Sequence, residues 1–141
     1  MATTTFLSNA TINITQGATT TDMSDQANAC SITIGQDSLE STAFGDTGHR
    51  FTGGLQSAEV SITFFLSYGA AEVEAILASC VGTGTTILTI SPSGTTESSS
   101  NPEYIITNAM LANFTPVNST VGELATVEAT FTGGTWVRDI I

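Results

Sequence analysis

Apolar and polar residues alternate along most of the chain, with the period of two that is typical of strands with one buried face. The clearest alternation lies in segment 57–66. Further alternating or β-branched segments are 6–15, 30–34 with a continuation through 40–44, 85–91, 104–115 and 124–132. The sequence therefore predicts a mainly β fold, an antiparallel β-sandwich or barrel of six to eight strands with one packed α-helix.

Between segments 57–66 and 85–91, the period of the apolar residues changes from two to 3.6. Val73, Ile76, Leu77 and Cys80 have the i, i+3, i+4, i+7 spacing of one apolar helix face. The pattern predicts a helix over about 69–81, with Ser67 as its N-cap and Gly82 as its end. We expect the apolar face to pack on the core.

Two stretches have no periodicity and are predicted to be loops. The first is a long inter-strand loop over about 40–55, which contains Phe44, Phe51 and four glycines. Loops of this length in a compact domain usually carry a function. The second is the Ser-rich stretch 92–102, which we expect to be disordered and to which the sequence assigns no role.

The composition bounds the function. The chain has 141 residues and a mass of 14.5 kDa, which predicts a single domain over 1–141. Thirteen acidic residues against two arginines give a net charge of −11, while the mean hydropathy of +0.22 argues against disorder. Nucleic-acid binding needs Lys and Arg for the phosphates, and a P-loop needs a Lys that the chain lacks. The acidic composition therefore excludes a nucleic-acid-binding protein, and the lack of Lys excludes a P-loop protein.

No residue set points to catalysis, so we expect no enzyme, no catalytic residues, no metal site and no cofactor. His49 is the only histidine, it lies in the Gly-rich loop, and no G-x-S-x-G motif occurs. Cys30 and Cys80 are predicted to be buried and reduced. No run of 18 apolar residues exists, and residues 1–5 do not resemble a secretory signal, so we expect no membrane span.

Glu59 and Glu128 each lie on the polar face of a strand whose other face is apolar. Such a carboxylate can belong to an ordinary solvated sheet face. It can also belong to a surface that is acidic for a functional reason. Residue type and spacing alone leave both interpretations open.

Several short motifs in a fixed order resemble one known family. The run 40–48 (ESTAFGDTG) leads to Gly53-Gly54-Leu55 and a strand, 101–104 (NPEY) precedes a long strand, and 114–131 contains FTPV, VGELATV and ATF. This arrangement is similar to tail tube (major tail) proteins of long-tailed bacteriophages, from about residue 29 to 131. The chain departs from the pattern in lacking Lys and in its insert 92–100.

The resemblance implies a structural virion protein. Its hexameric rings would stack into the hollow tail tube that conducts DNA during ejection, with the helix outside a continuous barrel. The partners would be the chain itself, other tail proteins such as the tape measure and the terminator, and DNA as cargo that is not bound. The location would be the phage tail, after assembly in the host cytoplasm. The long loop would reach a neighbouring subunit or ring, through the candidates Phe44, Asp46, His49, Arg50 and Phe51.

The charge is compatible with that function. A ring of six copies would carry −66, six times −11, and such a wall would repel DNA phosphates. Glu59 and Glu128 are the candidates for residues that line the lumen. Two alternatives stay open: another virion component, such as a head decoration, tail terminator or neck protein, and an extracellular adhesive β domain.

Overall fold

The computed structural model describes residues 9–141, and within them the fold is mainly β. The eight strands are β1 (Thr11–Gln16), β2 (Thr19–Asp22), β3 (Ala27–Glu40), β4 (Phe51–Phe65), β5 (Thr86–Ser91), β6 (Glu103–Asn113), β7 (Thr126–Thr132) and β8 (Thr135–Asp139). One helix, α1 (Val73–Cys80), lies between β4 and β5, and a 3-10 turn, Ser24–Gln26, precedes β3. The predicted strand positions Phe6, Leu7 and Ser8 lie outside the described residues.

All eight strands belong to one antiparallel hydrogen-bonded sheet. The order is β2-β1-β5-β6-β7-β4-β3, and β8 pairs with the first half of β6. The end strands β2 and β3 do not pair with each other, so the sheet is not closed into a barrel. Within residues 9–141 the predicted barrel is therefore absent, and the mainly β class is confirmed.

The sheet folds over on itself at a corner in β6. Residues 103–107 of β6 pair with β8, whereas Met110, Leu111 and Asn113 pair with β7. Asn108 has φ +63° between these two halves, and Gly133 and Gly134 connect β7 to β8 opposite it, with φ +83° and +89°. A Cβ on Gly134 would lie 2.3 Å from the Thr107 carbonyl oxygen, so only glycine fits at this corner.

The core lies between the two halves of the folded sheet. One buried cluster receives side chains from strands of both halves and from the helix, among them Ile14, Leu88, Phe64, Phe131 and Leu77. The alternation in β4 is confirmed, because Ala58, Val60, Ile62 and Phe64 are all buried. Burial of each large apolar side chain contributes roughly 1.5–3 kcal/mol to the stability of the folded chain, and this burial stabilises the sandwich.

The helix is shorter than predicted. Gly69 and Ala71 have φ +138° and +62°, which a right-handed helix does not allow, so α1 begins only at Val73. Glu72 is the N-cap residue instead of Ser67, but the Ser67 hydroxyl accepts a hydrogen bond from the Val73 N–H at 3.3 Å. Gly82, at φ +72°, follows the helix end as expected.

Both predicted loops differ from expectation. The ladder of β3 and β4 continues to Glu40 and Phe51, so the loop covers 41–50 rather than 40–55. In the Ser-rich stretch, the buried Asn101 amide donates hydrogen bonds to Thr95 O at 2.8 Å and Thr95 Oγ1 at 3.1 Å, and its Oδ1 accepts one from the Ser93 N–H. The predicted disorder is wrong, because one buried amide closes the stretch into a hydrogen-bonded loop.

Candidate assembly surfaces

The first candidate surface is the outward face of β3, β4 and β7, which we call the polar face. In register, Glu59 lies between Thr33 and Thr132, and Glu128 lies opposite Thr63. Ser61 lies between Ser31 and Thr130, and its hydroxyl is 3.2 Å from that of Thr130. The two carboxylates stand four positions apart on this ladder, roughly 14 Å at strand geometry. Both glutamates are exposed.

The helix lies on the opposite side of these strands. Val73, Leu77 and Cys80 of α1 belong to the same buried cluster as Phe64 and Val127, which point away from the polar face. Carboxylates facing an apolar helix would be costly without partners. Glu59 and Glu128 therefore avoid that cost, and the polar face is a solvated surface of the isolated chain.

The second surface is a protruding hairpin, which we call the arm and define as residues 36–56. It consists of the outer parts of β3 and β4 beyond the point where β7 pairs with β4, and none of its residues is buried. A register shift between Gln36 and Ser38 marks its start. Gly53 and Gly54 lie under opposing side chains, since a Cβ on Gly53 would be 2.7 Å from Gln36 Nε2.

Trp136 in β8 joins the arm to the rest of the molecule. Its indole Nε1–H donates to the Gly35 carbonyl at 3.2 Å, and its backbone N–H donates to Gln56 Oε1 at 3.3 Å. The side chain also packs against the buried cluster. A single residue therefore contacts both strands of the hairpin where the arm leaves the core.

The arm tip, residues 41–50, is shaped by its own hydrogen bonds. Asp46 Oδ2 accepts from the Ala43 N–H at 2.8 Å, and Thr42 Oγ1 accepts from the Arg50 N–H at 3.0 Å. His49 Nδ1 donates to Glu40 Oε2 at 2.6 Å. The Arg50 guanidinium is 71% exposed and only 3.5 Å from Asp46 Oδ1. Exposed pairs of this kind contribute little to stability, so the arginine remains able to meet another partner.

The predicted loop residues do come together at this tip, separate from the predicted lumen residues. Phe44 is fully exposed, and Phe51, at the first position of β4, is 62% exposed with its ring 6.5 Å from that of His49. Leu39 and Leu55 are exposed on the same arm. Glu59 and Glu128 lie in the part of the sheet that covers the core. The arm and the polar face are thus two distinct surfaces, and β3 and β4 contribute to both of them.

A third surface lies at the opposite end of β4, and the sequence analysis did not predict it. We call it the base patch. The Leu66 N–H donates to the Ala125 carbonyl at 2.9 Å, and the Tyr68 hydroxyl donates to the Pro116 carbonyl at 2.7 Å, which joins two loops. Five exposed apolar side chains lie on these two loops and at the adjoining end of β4: Phe65, Tyr68, Val117, Val121 and Leu124. Val117 and Val121, which lie between the predicted strand segments 104–115 and 124–132, were the available signal.

No group of three His, Cys, Asp or Glu side chains within residues 9–141 is arranged to hold a metal ion. Glu103 lies opposite Asp139 in the β6–β8 ladder, and desolvation, with the charges of Glu97 and Asp139, raises its pKa. Over the same residues, no helix has the length and apolar character needed to cross a bilayer.

The two cysteines have different environments. Cys80 is buried, as predicted, but Cys30 is exposed, so its predicted core position is wrong. The reason is that β3 is an end strand, with no described strand beyond it to cover this position. Desolvation by neighbouring atoms still raises the pKa of the Cys30 thiol to about 11. Neither cysteine is in a disulfide.

Comparison with known proteins gives matches at the level of structure. No protein-family profile matches the chain, and no curated protein matches it by sequence. A chain of the sheath/tube terminator of the extracellular contractile injection system PVC, in its extended state, is similar with a TM-score of 0.67 and 16% identity, covering 98% of each chain.

Two further assemblies contain similar chains. One is the tube-terminating cap of the anti-feeding prophage (TM-score 0.63, 13% identity, 100% of this chain and 95% of the other). The other is the tail of the empty gene transfer agent particle, with C6 symmetry (TM-score 0.56, 12% identity, 92% and 94%). At these identities the similarity shows a shared fold. That fold occurs in components of tail tubes and of their terminators.

Proposed function

We propose that the chain is a structural subunit of the tail tube of a phage-like particle. Six copies form a ring, and rings stack into a hollow tube that conducts DNA. The observation that carries the proposal is the polar face: a solvated strand surface of Ser, Thr and Glu on the side away from both core and helix. The shared fold with tail components supports it.

The polar face is suited to line a channel. Its hydroxyl groups hold water without offering cations to phosphate, and Glu59 and Glu128 add negative charge. In a closed ring the potentials of six copies add, and low-dielectric walls concentrate the field. DNA would then pass without adhering, which is why a chain unable to bind DNA is suited to conduct it.

The test replaces both lumen candidates. Glu59→Lys with Glu128→Lys is expected to leave tubes intact, since the face is solvated, and to slow DNA release in vitro at low salt, where screening is weakest. Asp25→Lys with Glu74→Lys makes the same charge change outside this face and is the matched control. Unchanged release in the first variant, or a tube structure with both carboxylates on the exterior, contradicts the lumen assignment.

A tube terminator is the second candidate function, favoured by the similarity to the PVC terminator and the anti-feeding prophage cap. A terminator ends a stack instead of extending it. Negative-stain images of the purified protein separate the two: a tube subunit forms long stacks by itself, whereas a terminator stays as single rings until a tube end is added.

The arm is the proposed contact with a neighbouring subunit, through Phe44, Asp46, His49, Arg50 and Phe51. It exposes aromatic side chains and one of only two arginines in a strongly acidic chain. Arg50→Glu is expected to block polymerisation and to leave the fold unchanged by circular dichroism. Assembly of this variant at the wild-type rate contradicts a role for the arm. Tape measure and terminator proteins are the further partners proposed, and the virion tail is the proposed location.

A further inference from the structure

The arm tip and the base patch lie at opposite ends of a single strand. β4 has 15 residues, begins at Phe51 beside the arm tip and ends at Phe65 in the base patch, so it spans roughly 45 Å at strand geometry. Phe44 in the arm tip and Val121 in the base patch are the two most exposed large apolar side chains of the described residues. Each end of the molecule thus presents apolar surface that no described residue covers.

We infer that the base patch is the receptor for the arm tip of a second copy. The inference rests on the proposed function, because it names the surface through which one ring holds the next. The two surfaces are different, so the contact is heterologous: every copy donates an arm at one end and accepts one at the other. A heterologous contact that does not close on itself generates an open stack.

The charges of the two surfaces agree with this pairing. Arg50, one of only two arginines, is exposed at the arm tip, 3.5 Å from Asp46 Oδ1, so the tip is neutral in a chain that is otherwise strongly acidic. Glu123 is exposed in the middle of the base patch, between Val121 and Leu124, and forms no ion pair among the described residues. Docking the tip on the patch brings an arginine to a carboxylate as the aromatic rings are desolvated. Such a pair favours this register over other contacts between acidic subunits.

Pairing of two arms is the competing arrangement, and the structure disfavours it. An arm–arm contact uses the same surface on both copies, so it closes at two subunits and leaves every base patch exposed to water. It would also place two Arg50 side chains near each other. Only arm-to-base contact covers both apolar ends and continues along the stack.

The test uses one variant at each end and then mixes them. Phe44→Asp and Val121→Asp are each expected to form rings that do not stack. In the mixture, the intact arms of the Val121→Asp rings can still dock on the intact base patches of the Phe44→Asp rings. We therefore expect rings paired in twos by sedimentation and negative stain, and no longer stacks, because each pair has used its one functional contact.

Two controls accompany the mixture. Ser119→Asp adds the same charge to the base patch, between Val117 and Val121, without removing an apolar side chain, and we expect it to stack far better than Val121→Asp. Val121→Ser removes the apolar contact without adding charge, and it is expected to weaken stacking by about tenfold or more, as loss of a central contact does. Circular dichroism and thermal melting establish that the variants are folded.

Each outcome has a distinct meaning. Paired rings that form only in the mixture, and with neither variant alone, support the arm-to-base contact. Stacking of Val121→Asp at the wild-type level contradicts this inference and leaves the proposed function intact. Paired rings of Val121→Asp alone, with Phe44→Asp rings left single, indicate arm–arm contact and also contradict this inference, as does a mixture without any pairs. If the wild-type protein forms no stacks at all, even with a tube end supplied, the proposed function fails and this inference fails with it.

Discussion

The inner and outer parts of the β3–β4 hairpin are formed by the same two strands but are stabilised differently. In the inner part, β4 lies between β3 and β7, and Val60, Ile62 and Phe64 are essentially inaccessible to solvent. In the arm, the strands pair only with each other, and no side chain is buried. A two-stranded hairpin without a buried face is marginally stable in water.

This difference indicates what each part is for. The inner part can persist in an isolated subunit because its apolar side chains are already buried. The arm keeps Phe44, Phe51 and Leu55 in water, an arrangement that costs free energy in a monomer and that agrees with the proposed contact between subunits. Stability and assembly should therefore respond to different substitutions along one strand.

The largest effect is expected from a matched pair of phenylalanines on β4. Phe64→Ala removes a fully buried ring and should lower the free energy of unfolding by about 3–5 kcal/mol. Phe51→Ala removes an exposed ring and should change it by less than about 0.5 kcal/mol. Urea denaturation of the unassembled protein measures both values.

The effect of Phe51→Ala on assembly should be large, in contrast to its small effect on the free energy of unfolding. Phe51→Ala is expected to reduce stacking strongly although the subunit stays folded. If Phe51→Ala destabilises the monomer as much as Phe64→Ala does, the arm is part of the core and the comparison between the two parts is wrong.

The second prediction concerns the corner of the sheet. Gly134→Ala places a Cβ against the Thr107 carbonyl at a backbone angle that only glycine adopts readily, so it should cost about 2 kcal/mol or more. Gly48→Ala in the arm tip is the control, because Gly48 has open space around it and no positive φ. Equal melting temperatures for the two variants would show that the corner tolerates a side chain.

A smaller effect is expected at Glu103. Desolvation and the charges of Glu97 and Asp139 raise its pKa in the folded state, so the folded protein favours the protonated form. That stabilisation is complete below the unfolded carboxyl pKa of about 4.3 and is lost as the pH rises through the folded value. Glu103→Gln should therefore raise the melting temperature at pH 7, with a difference that disappears below about pH 4.

Measured on the unassembled protein, Glu123→Gln is the matched control for Glu103→Gln, because it removes one charge from an exposed position. It should change the melting temperature less at neutral pH. An equal increase in both variants would mean that relief of the overall negative charge, rather than the local environment of Glu103, explains the effect.

The last prediction concerns the reactivity of Cys30 in the end strand β3, and not the stability of the protein. With a pKa of about 11, the Cys30 thiol should be alkylated at pH 8 about a hundredfold more slowly than an unperturbed cysteine. The alkylation rate of the folded protein should continue to rise up to about pH 11, whereas the rate of the protein unfolded in urea should level off near pH 8.5. Iodoacetamide kinetics with mass spectrometry measure both. A folded-state midpoint near 8.5 would contradict desolvation at this end strand.

The sequence was sufficient for the class of fold and for most of the core. Strict alternation predicted the buried positions of β4 and β7, and the 3.6 period predicted the buried face of α1. Alternation does not show which strands pair with each other, however, so it could not show that β3 is an end strand that leaves Cys30 exposed. It also could not show the loop closed by Asn101, because a single buried amide has no periodic signal.

The candidate surfaces could be predicted only in part. The aperiodic stretch drew attention to the arm tip, although the strands extend further into it than periodicity suggests, because Gly53 and Gly54 interrupt the pattern. The base patch was missed. Its two loops are separated by about fifty positions in the sequence, and only the hydrogen bonds from Leu66 and Tyr68 show that they are adjacent. The assignments of Glu59, Glu128 and the arm-tip residues remain predictions.

Trp136 is the only tryptophan in the chain, and its position gives the protein an intrinsic optical probe. Its indole N–H donates a hydrogen bond to the Gly35 carbonyl, and its backbone N–H donates one to Gln56 Oε1. Both residues lie where the arm joins the core. Emission excited at the tryptophan band therefore originates from the joint between arm and core, with no label attached. If the arm rotates in the proposed assembly, these bonds would break or bend and the spectrum would shift, which would report the kinetics of the proposed ring stacking in the unmodified protein.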